Sequence, residues 1–573
     1  MPAAIQSQQP SSNKAIGYFL LLWTILNAMQ AYTLELHGDE AYYWVYSKFL
    51  DWGYFDHPPM VAVFIKMGDS LMHNELGLRL LTVLTNSAAV YLLWLILKRY
   101  NASAKWFMLV VSGLFIFHIY GFTTTPDSPL LFFTVLFYYF YQRYINEDKW
   151  SLALILAIVA ACLLYSKYHG ILLIGFTILS NIKLLKRPSF WLIAIGAIAL
   201  FSPHILWQVH NDYPSIKYHL FDRSASMYHL DFTTLYPLGQ LAMAGPLVGW
   251  FLFYSAAKTK ISDAFIRCLM VNFIGTFAFF LITTLKGEVQ PHWTLIAFVP
   301  LLMLAIIRFA QIGNPPKWFY GLSVANIALI LFIRSALLFQ YPFVMNIGQL
   351  KSYFGFRNWT KQVHARIGDS YLIIRDGFQD PSKYNYYTNS TKAMSYDSRY
   401  YRKNQYDIWP IEDSLQHKRV YYLQDGPEKG LTTDSIVDEY GRKYYSGWVN
   451  DVQTYQKVEI SIAVASGSAS AGQTLTFDLS VHNPYPHPIS FSDSGYLHKA
   501  FLDACFFQGG DIKYAAMAPV SFNAINIPAK GTAKYSFPVK VPGNKGKYDL
   551  FFSVRTEPFA GSRNSKTISF EVK

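Results

Sequence analysis

The chain has 573 residues, 52% of them hydrophobic and 15% charged, and its mean hydropathy is +0.18. A soluble chain of this length would split into several domains with about 25% charge, so the composition excludes an ordinary string of soluble domains. The net charge of +13 comes with no basic stripe and no nucleic-acid motif, so it argues for positive-inside loops and a basic soluble region rather than nucleic acid.

Apolar runs of about 17–22 residues, the length that crosses ~30 Å of hydrocarbon, fill the first 340 residues. They fall near 16–34, 78–97, 104–121, 128–145, 150–165, 169–185, 189–209, 238–257, 264–285, 292–310 and 317–340, which makes about eleven predicted spans. Many Tyr and Trp sit near the ends of these runs, where an amphipathic ring is stable at headgroup level. Ala28-Met29-Gln30-Ala31 is a weak cleavage site, and cutting there would detach the first span from the loop that follows, so an uncleaved signal-anchor is expected. Alternate connections hold most of the Lys and Arg: Lys14; Lys98-Arg99 with Lys105; Arg143 with Lys149; Lys183 with Lys186-Arg187; Lys258, Lys260 and Arg267; Arg308 with Lys317. The positive-inside rule makes that side cytoplasmic. The N-terminus is then inside, while the large loops 35–77 and 210–237 and everything after residue 340 lie outside.

The first outer loop holds the densest chemistry. His37-Gly38-Asp39-Glu40-Ala41-Tyr42-Tyr43-Trp44 is followed by Gly53-Tyr54-Phe55-Asp56-His57-Pro58-Pro59. After the prolines, residues 60–72 are too short and too polar to span; they read as an in-plane interfacial helix with Lys66, Asp69 and Ser70 opposite an apolar face, the alternative being an ordinary buried helix. Carboxylates just outside a span suit sugar transfer from a lipid phosphate. The phosphate is already a good leaving group and needs donors where negative charge develops, while the attacking hydroxyl or amine needs one carboxylate as general base. The spacing of His37, Asp39, Glu40 and His57 fits no strong metal-ligand signature, so no metal site is assigned. No cofactor is required, and a divalent metal is left as an option.

These motifs resemble the protein O-mannosyltransferase and lipid A aminoarabinose transferase superfamily of GT-C glycosyltransferases. Gly-Asp-Glu-x-Tyr-Tyr after the first span and Tyr-Phe-Asp-His-Pro-Pro carry the likeness. Thr125-Pro126-Asp127-Ser128-Pro129, Ser166-Lys167-Tyr168-His169-Gly170, Ser202-Pro203 before Asn211-Asp212, Pro291-His292-Trp293 and Asn404-Gln405-Tyr406-Asp407 follow in order. The likeness covers the first 410 residues or so and implies a polytopic α-helical GT-C membrane protein. It implies Asp39 as general base and Asp127 as a second aspartate at the outer end of a span. His57 stands where the aminoarabinose transferases have a lysine near the lipid phosphate, and a histidine is only partly cationic at neutral pH. Phosphate binding is therefore shared among His57, Lys167, Arg223 and Lys286, with Glu40 beside the base and Tyr42, Tyr43, Asp56, His169 and His292 facing substrate. Structural readings stand beside these: Asp39 as a helix cap, Asp127 as a helix-start residue, Lys167 as a snorkelling side chain, His292 as interfacial packing.

Beyond residue 340 the composition becomes ordinary. Tyr371–Ile374 and Val420–Leu423 read as strands among helical stretches, giving an α/β region over 341–455. Period-two runs at 459–464, 474–479, 533–539 and 549–554, with turn signals such as Pro542-Gly543-Asn544, read as an immunoglobulin-like β-sandwich over 456–573. Gly467 to Gly472 reads as a linker. Of the three cysteines, Cys162, Cys268 and Cys505, no pair is placed to bridge. The function expected is an inverting transfer from a polyprenyl-phosphate donor to an envelope acceptor (lipid A, glycan or protein) at the outer face of a bacterial inner membrane, in contact with the lipid bilayer. A transporter or flippase of a lipid-linked sugar is the alternative; it would place its ionisable groups near the midplane, where Arg334 is the clearest case.

Overall fold

A computed structural model describes residues 9–222, 228–463 and 466–573. The chain forms two compact units, Met1–Phe354 and Gly355–Lys573; the first ends later than the boundary at 340 read from composition.

The first unit is helical. Its helices are α1 (Gln9–Thr33), α2 (Gly38–Lys48), α3 (Met60–Asp69), α4 (Glu75–Leu97), α5 (Ala104–Gly113), α6 (Phe115–Ile119), α7 (Asp127–Glu147), α8 (Trp150–Ser166) and α9 (Gly170–Ser180). They continue as α10 (Pro188–His210), α11 (Pro214–Lys217), α12 (Leu230–Met243), α13 (Gly249–Ala257), α14 (Ala264–Thr283), α15 (Leu295–Gln311), α16 (Lys317–Leu338), α17 (Pro342–Met345) and α18 (Gly348–Lys351). Among the described residues six are long and apolar enough to cross a membrane: Asn13–Thr33, Glu75–Tyr100, Pro188–His210, Ala264–Thr283, Pro291–Gln311 and Lys317–Leu338. The unit is that of a multi-pass membrane protein. Eleven unbroken spans are not what it shows, because several of the predicted runs hold shorter or interrupted helices. Residues 104–121 break at Leu114 into α5 and α6, and 238–257 break between α12 and α13.

The two breaks meet. Gly245 has φ +120°, and a Cβ there would lie 2.6 Å from the Gly113 carbonyl oxygen. Buried Asn326 of α16 serves both ends, its Nδ2 donating to Gly113 O at 2.8 Å and its Oδ1 accepting from Leu247 N at 3.0 Å. In an apolar surround, a neighbouring polar side chain is what makes an interrupted helix tolerable. Asn326→Leu leaves the buried Gly113 carbonyl and the half-buried Leu247 N–H without this partner, and the buried group alone costs about 1–3 kcal/mol. Its thermal unfolding in detergent should fall accordingly, and a melting point equal to wild type would remove this role. Arg334 is likewise satisfied inside the bundle, donating to Asn27 Oδ1 (2.9 Å), His118 Nδ1 (3.1 Å) and Leu26 O (3.1 Å).

The second unit begins with an α/β region containing α19 (Phe356–Ile367), β1 (Tyr371–Arg375), α20 (Gln379–Tyr387), β2 (Ala393–Tyr396), α21 (Ile411–Leu415), β3 (Val420–Gln424), β4 (Asp434–Val437) and β5 (Lys443–Val449). The strand order is β2-β1-β3-β5-β4, with β1 parallel to β2 and β3. The two strands expected from sequence are its centre. A sandwich follows, built from β6 (Glu459–Ile462), β7 (Ser466–Ala469), β8 (Thr474–His482), β9 (Ile489–Ser490), β10 (Ala500–Gln508), β11 (Asp511–Met517), β12 (Asn526–Ile527), β13 (Thr532–Lys540), β14 (Gly546–Thr556) and β15 (Ile568–Val572). Its larger sheet has the order β11-β10-β14-β15-β7 and faces β13-β8-β6 across one apolar core. The expected linker is part of the fold: β7 pairs in parallel with β15, Ser466 opposite Ser569. Cys162, Cys268 and Cys505 are all free.

Candidate active site

The site grows from the start of α2. His37 is its N-cap, with Nδ1 accepting from Asp39 N at 3.3 Å while Glu40 Oε2 accepts from His37 N at 3.0 Å. This reciprocal box turns Asp39 outward, its side chain 37% exposed, and turns Glu40 inward. Glu40 is fully buried and receives Arg79 of α4 through two parallel bonds, Nε to Oε1 at 2.8 Å and Nη2 to Oε2 at 2.6 Å. Its Oε1 also accepts from Thr124 N at 2.8 Å. Arg79 spends its remaining donors on the carbonyls of Ala31, Leu34 and Glu35. One ion pair thus ties the end of α1, the start of α2, α4 and the turn that opens α7.

Helix α3 lies across α2 and α4. It buries Val61, Ala62, Phe64 and Ile65 and leaves Val63, Met67 and Lys66 exposed. Asp69 departs from the expected polar outer face, because its carboxylate is enclosed by Trp44 Nε1 (2.9 Å), Lys48 Nζ (3.1 Å) and His73 Nδ1 (2.7 Å). Burial alone would raise its pKa, yet the bonds from His73, Trp44 and Lys48 outweigh burial and hold it below the ordinary carboxylate range. A depressed folded pKa contributes stability above the unfolded value, about 3.9, that is lost as pH falls through the folded one. Asp69→Asn should therefore be less stable than wild type at neutral pH and flatten the acid limb of a melting-temperature profile. Parallel profiles for the two proteins would contradict this.

Past α2 the chain folds under its own aromatic rings. Tyr46 and Tyr54 stack at 3.9 Å, and Tyr54 OH donates to Tyr46 O at 3.0 Å. The Tyr46 hydroxyl donates to the buried Asp56 carboxylate. Segment 204–219 closes over this turn: His204 Nδ1 bonds Trp52 O (2.7 Å), Trp207 Nε1 donates to Asp51 Oδ2 (2.8 Å), Ser215 Oγ to Tyr54 O (2.8 Å) and His219 Nε2 to Asp56 O (2.8 Å). Gly53 permits the approach, since a Cβ there would sit 2.4 Å from the Trp207 ring.

Opposite stands Asp127, in the first turn of α7 where the helix dipole favours a carboxylate. Lys167 Nζ, after α8, donates to both of its oxygens at 2.9 and 2.8 Å, and both side chains are buried. His292 Nε2 is 3.9 Å from Asp127 Oδ2. The fields of Lys167, His219, His292 and His57 all reach His169, whose buried Nδ1 has no protein partner among the described residues. Tyr43 joins the two sides. Its ring packs 5.8 Å from His57, and burial, then Asp39, Asp56, Tyr42 and Asp127, push its phenol well above the ordinary range. It is therefore a permanent donor at neutral pH. The cluster lies where the N-termini of α2, α4, α7 and α15 meet the C-termini of α8, α10 and α14.

Residues 56–207, which hold half of this cluster, match the family described as dolichyl-phosphate-mannose-protein mannosyltransferase. A lipid A galacturonosyltransferase, RgtD, of Rhizobium johnstonii is 22% identical over 378 residues, 62% of this chain and 78% of that protein. The crystal structure of apo ArnT from Cupriavidus metallidurans aligns with a TM-score of 0.55 at 13% identity, over 76% of this chain and 98% of that one. The same protein bound to undecaprenyl phosphate aligns equally well, at 12% identity. The chain has the fold of the GT-C glycosyltransferases and resembles them in sequence.

Within this GT-C unit the expected site residues separate. Asp39, Tyr43, His57, Asp127, Lys167, His169 and His292 converge. Glu40 does not: it is sealed against Arg79 and positions its neighbours. Asp56 and Tyr42 are buried supports, Asp56 under Tyr46 and Tyr42 with its ring 4.8 Å from Tyr46. Lys286 is exposed past the end of α14, and Arg223 lies outside the described residues. Arg79 and His219 escaped the sequence reading. A lone arginine inside the apolar run Leu78–Leu84 was the available signal for Arg79, whereas His219 has no flanking pattern. Among the described residues no group of three or more His, Cys, Asp or Glu is placed to hold a metal ion.

Proposed function

We propose that this GT-C chain moves a sugar from a polyprenyl-phosphate donor to an envelope acceptor by inverting displacement, on the outer face of a bacterial inner membrane. The observation that carries this is the convergence at one end of the bundle of a part-exposed carboxylate, Asp39, with the donors Tyr43, His57, His169, His219 and Lys167. The acceptor hydroxyl or amine attacks the anomeric carbon, and the bond from that carbon to the phosphate oxygen breaks. The electron pair leaves with the polyprenyl phosphate and Asp39 takes the acceptor's proton. Developing charge on the phosphate is met by the imidazoles and by Tyr43, while Asp127 holds Lys167 in place. That ArnT has been captured with undecaprenyl phosphate and that RgtD acts on lipid A support the donor and the envelope acceptor. The positive-inside reading supports a cytoplasmic N-terminus and an outward site.

The class is tested by incubating the purified full chain with polyprenyl-phosphate hexoses, pentoses, uronic acids and aminosugars and following donor loss by mass spectrometry. Consumption of one donor with release of polyprenyl phosphate is expected. If no donor is bound or consumed, the proposal fails.

A further inference from the structure

At the pole opposite the site, the ends of α4, α7, α9, α10 and α14 frame an open cavity of about 480 Å³. Arg99, Lys183, Arg187 and Arg267 line it, with Asp263 as the carboxylate among the lining residues. Asp263 is already occupied, since its Oδ1 accepts from Ile266 N at 2.8 Å to cap α14. Arg187 frames the wall, with Nη1 and Nη2 donating to Tyr144 O and Ile145 O at 3.0 Å each. Among the described residues Arg267 is anchored through Nε alone, to Ser180 O at 2.7 Å, which leaves its two Nη groups for a ligand. Among the described residues no carboxylate lies within ion-pair distance of Arg99, Lys183 or Arg267. The buried amide of Gln142 adds a neutral donor to the lining. Such a concentration of positive charge, set between helix ends, calls for an anion.

We infer that this cavity binds the phosphate headgroup of an anionic glycerophospholipid. The phosphate chemistry alone would also suit a soluble phosphate; the surroundings favour the lipid. Leu179, at the end of α9, and Ile182 and Leu185, on the turn that carries Lys183, are 63, 63 and 41% exposed, and the cavity itself includes Ile145, Leu184 and Phe265. A headgroup seated on the cations would therefore have an apolar surface beside it for its acyl chains. Basic pockets between spans at headgroup level recognise anionic lipids in this way.

The full chain in mild detergent, titrated with phosphatidylglycerol, phosphatidylcholine or inorganic phosphate and read by native mass spectrometry, tests the inference. Wild type should retain phosphatidylglycerol over phosphatidylcholine, and millimolar inorganic phosphate should not displace it. Lys183→Gln/Arg267→Gln should weaken phosphatidylglycerol retention by roughly thirtyfold, the equivalent of about 1 kcal/mol for each cation lost. Lys258→Gln/Lys260→Gln, a basic pair outside the cavity, should retain the lipid as wild type does. Because Arg267 also bonds Ser180, Arg99→Gln/Lys183→Gln provides a second variant that removes no hydrogen bond, and it must show a loss of the same order. Equal loss in the Lys258/Lys260 control, unchanged retention in either cavity variant, or displacement by inorganic phosphate would each overturn the inference.

Discussion

Asp39→Asn should lower the turnover number by about 10²–10⁴, the usual worth of a positioned general base, and leave the melting temperature unchanged. Asn has the shape of Asp but cannot take the acceptor's proton. The substitution spares the fold because the cap at this position runs from the Asp39 backbone N–H to His37 Nδ1, and because Glu40 keeps its bonds to Arg79 and Thr124. Donor affinity should hold, since no phosphate donor is removed. The measurement is single-turnover transfer with the donor identified by the panel; a rate within twofold of wild type would take the base role away from Asp39.

Arg79→Ala should be the most damaging substitution to stability. It leaves the buried Glu40 carboxylate without its cation, and breaking a buried pair by removing one partner costs about 3–5 kcal/mol. The carbonyls of Ala31, Leu34 and Glu35 lose their donor as well. Lysine is a poor substitute, since a single ammonium cannot reproduce the fork that grips both Glu40 oxygens. Arg79→Met/Glu40→Met should recover much of the stability, because apolar replacement of a whole buried pair is often neutral or stabilising. It should not recover transfer: the Glu40 bond to Thr124 N is what fixes the turn three residues before Asp127. Melting curves and transfer rates on the same preparations separate the two effects. Full activity in the double Met variant would show that the pair does not position the site.

Local signals carried much of this organisation. Carboxylates and imidazoles flanking long apolar runs marked the end of the bundle where the candidate site gathers, and period-two alternation marked the strands at 474–482 and 546–556. What was not legible depends on which way a helix is rotated. Asp39 and Glu40 are adjacent and chemically alike, and only the His37 box, closed from the far side by Arg79, sends one outward and the other into the core. The breaks at Leu114 and between α12 and α13 were hidden for a similar reason. Their flanks are as apolar as any span, and the residue that makes them tolerable, Asn326, lies on α16, more than 75 positions away from either. Asp69 was misplaced because its partners, Trp44 and His73, come from both sides of a turn that periodicity does not describe.

Tyr353 gives the loop a dependence on the order in which the chain is made. Its ring packs 5.1 Å from His37; burial, followed by the field of Glu40, keeps its phenol protonated. The residue that steadies the cap of α2 thus leaves the ribosome after the last long span of its own unit. A nascent chain that already holds the acidic loop, every imidazole of the cluster and the Asp127–Lys167 pair would still lack this brace, so a full-strength site belongs to the finished bundle and not to its intermediates. The same dependence sets where the chain can be shortened: ending it at residue 340 discards the brace, and ending it after Phe354 keeps it.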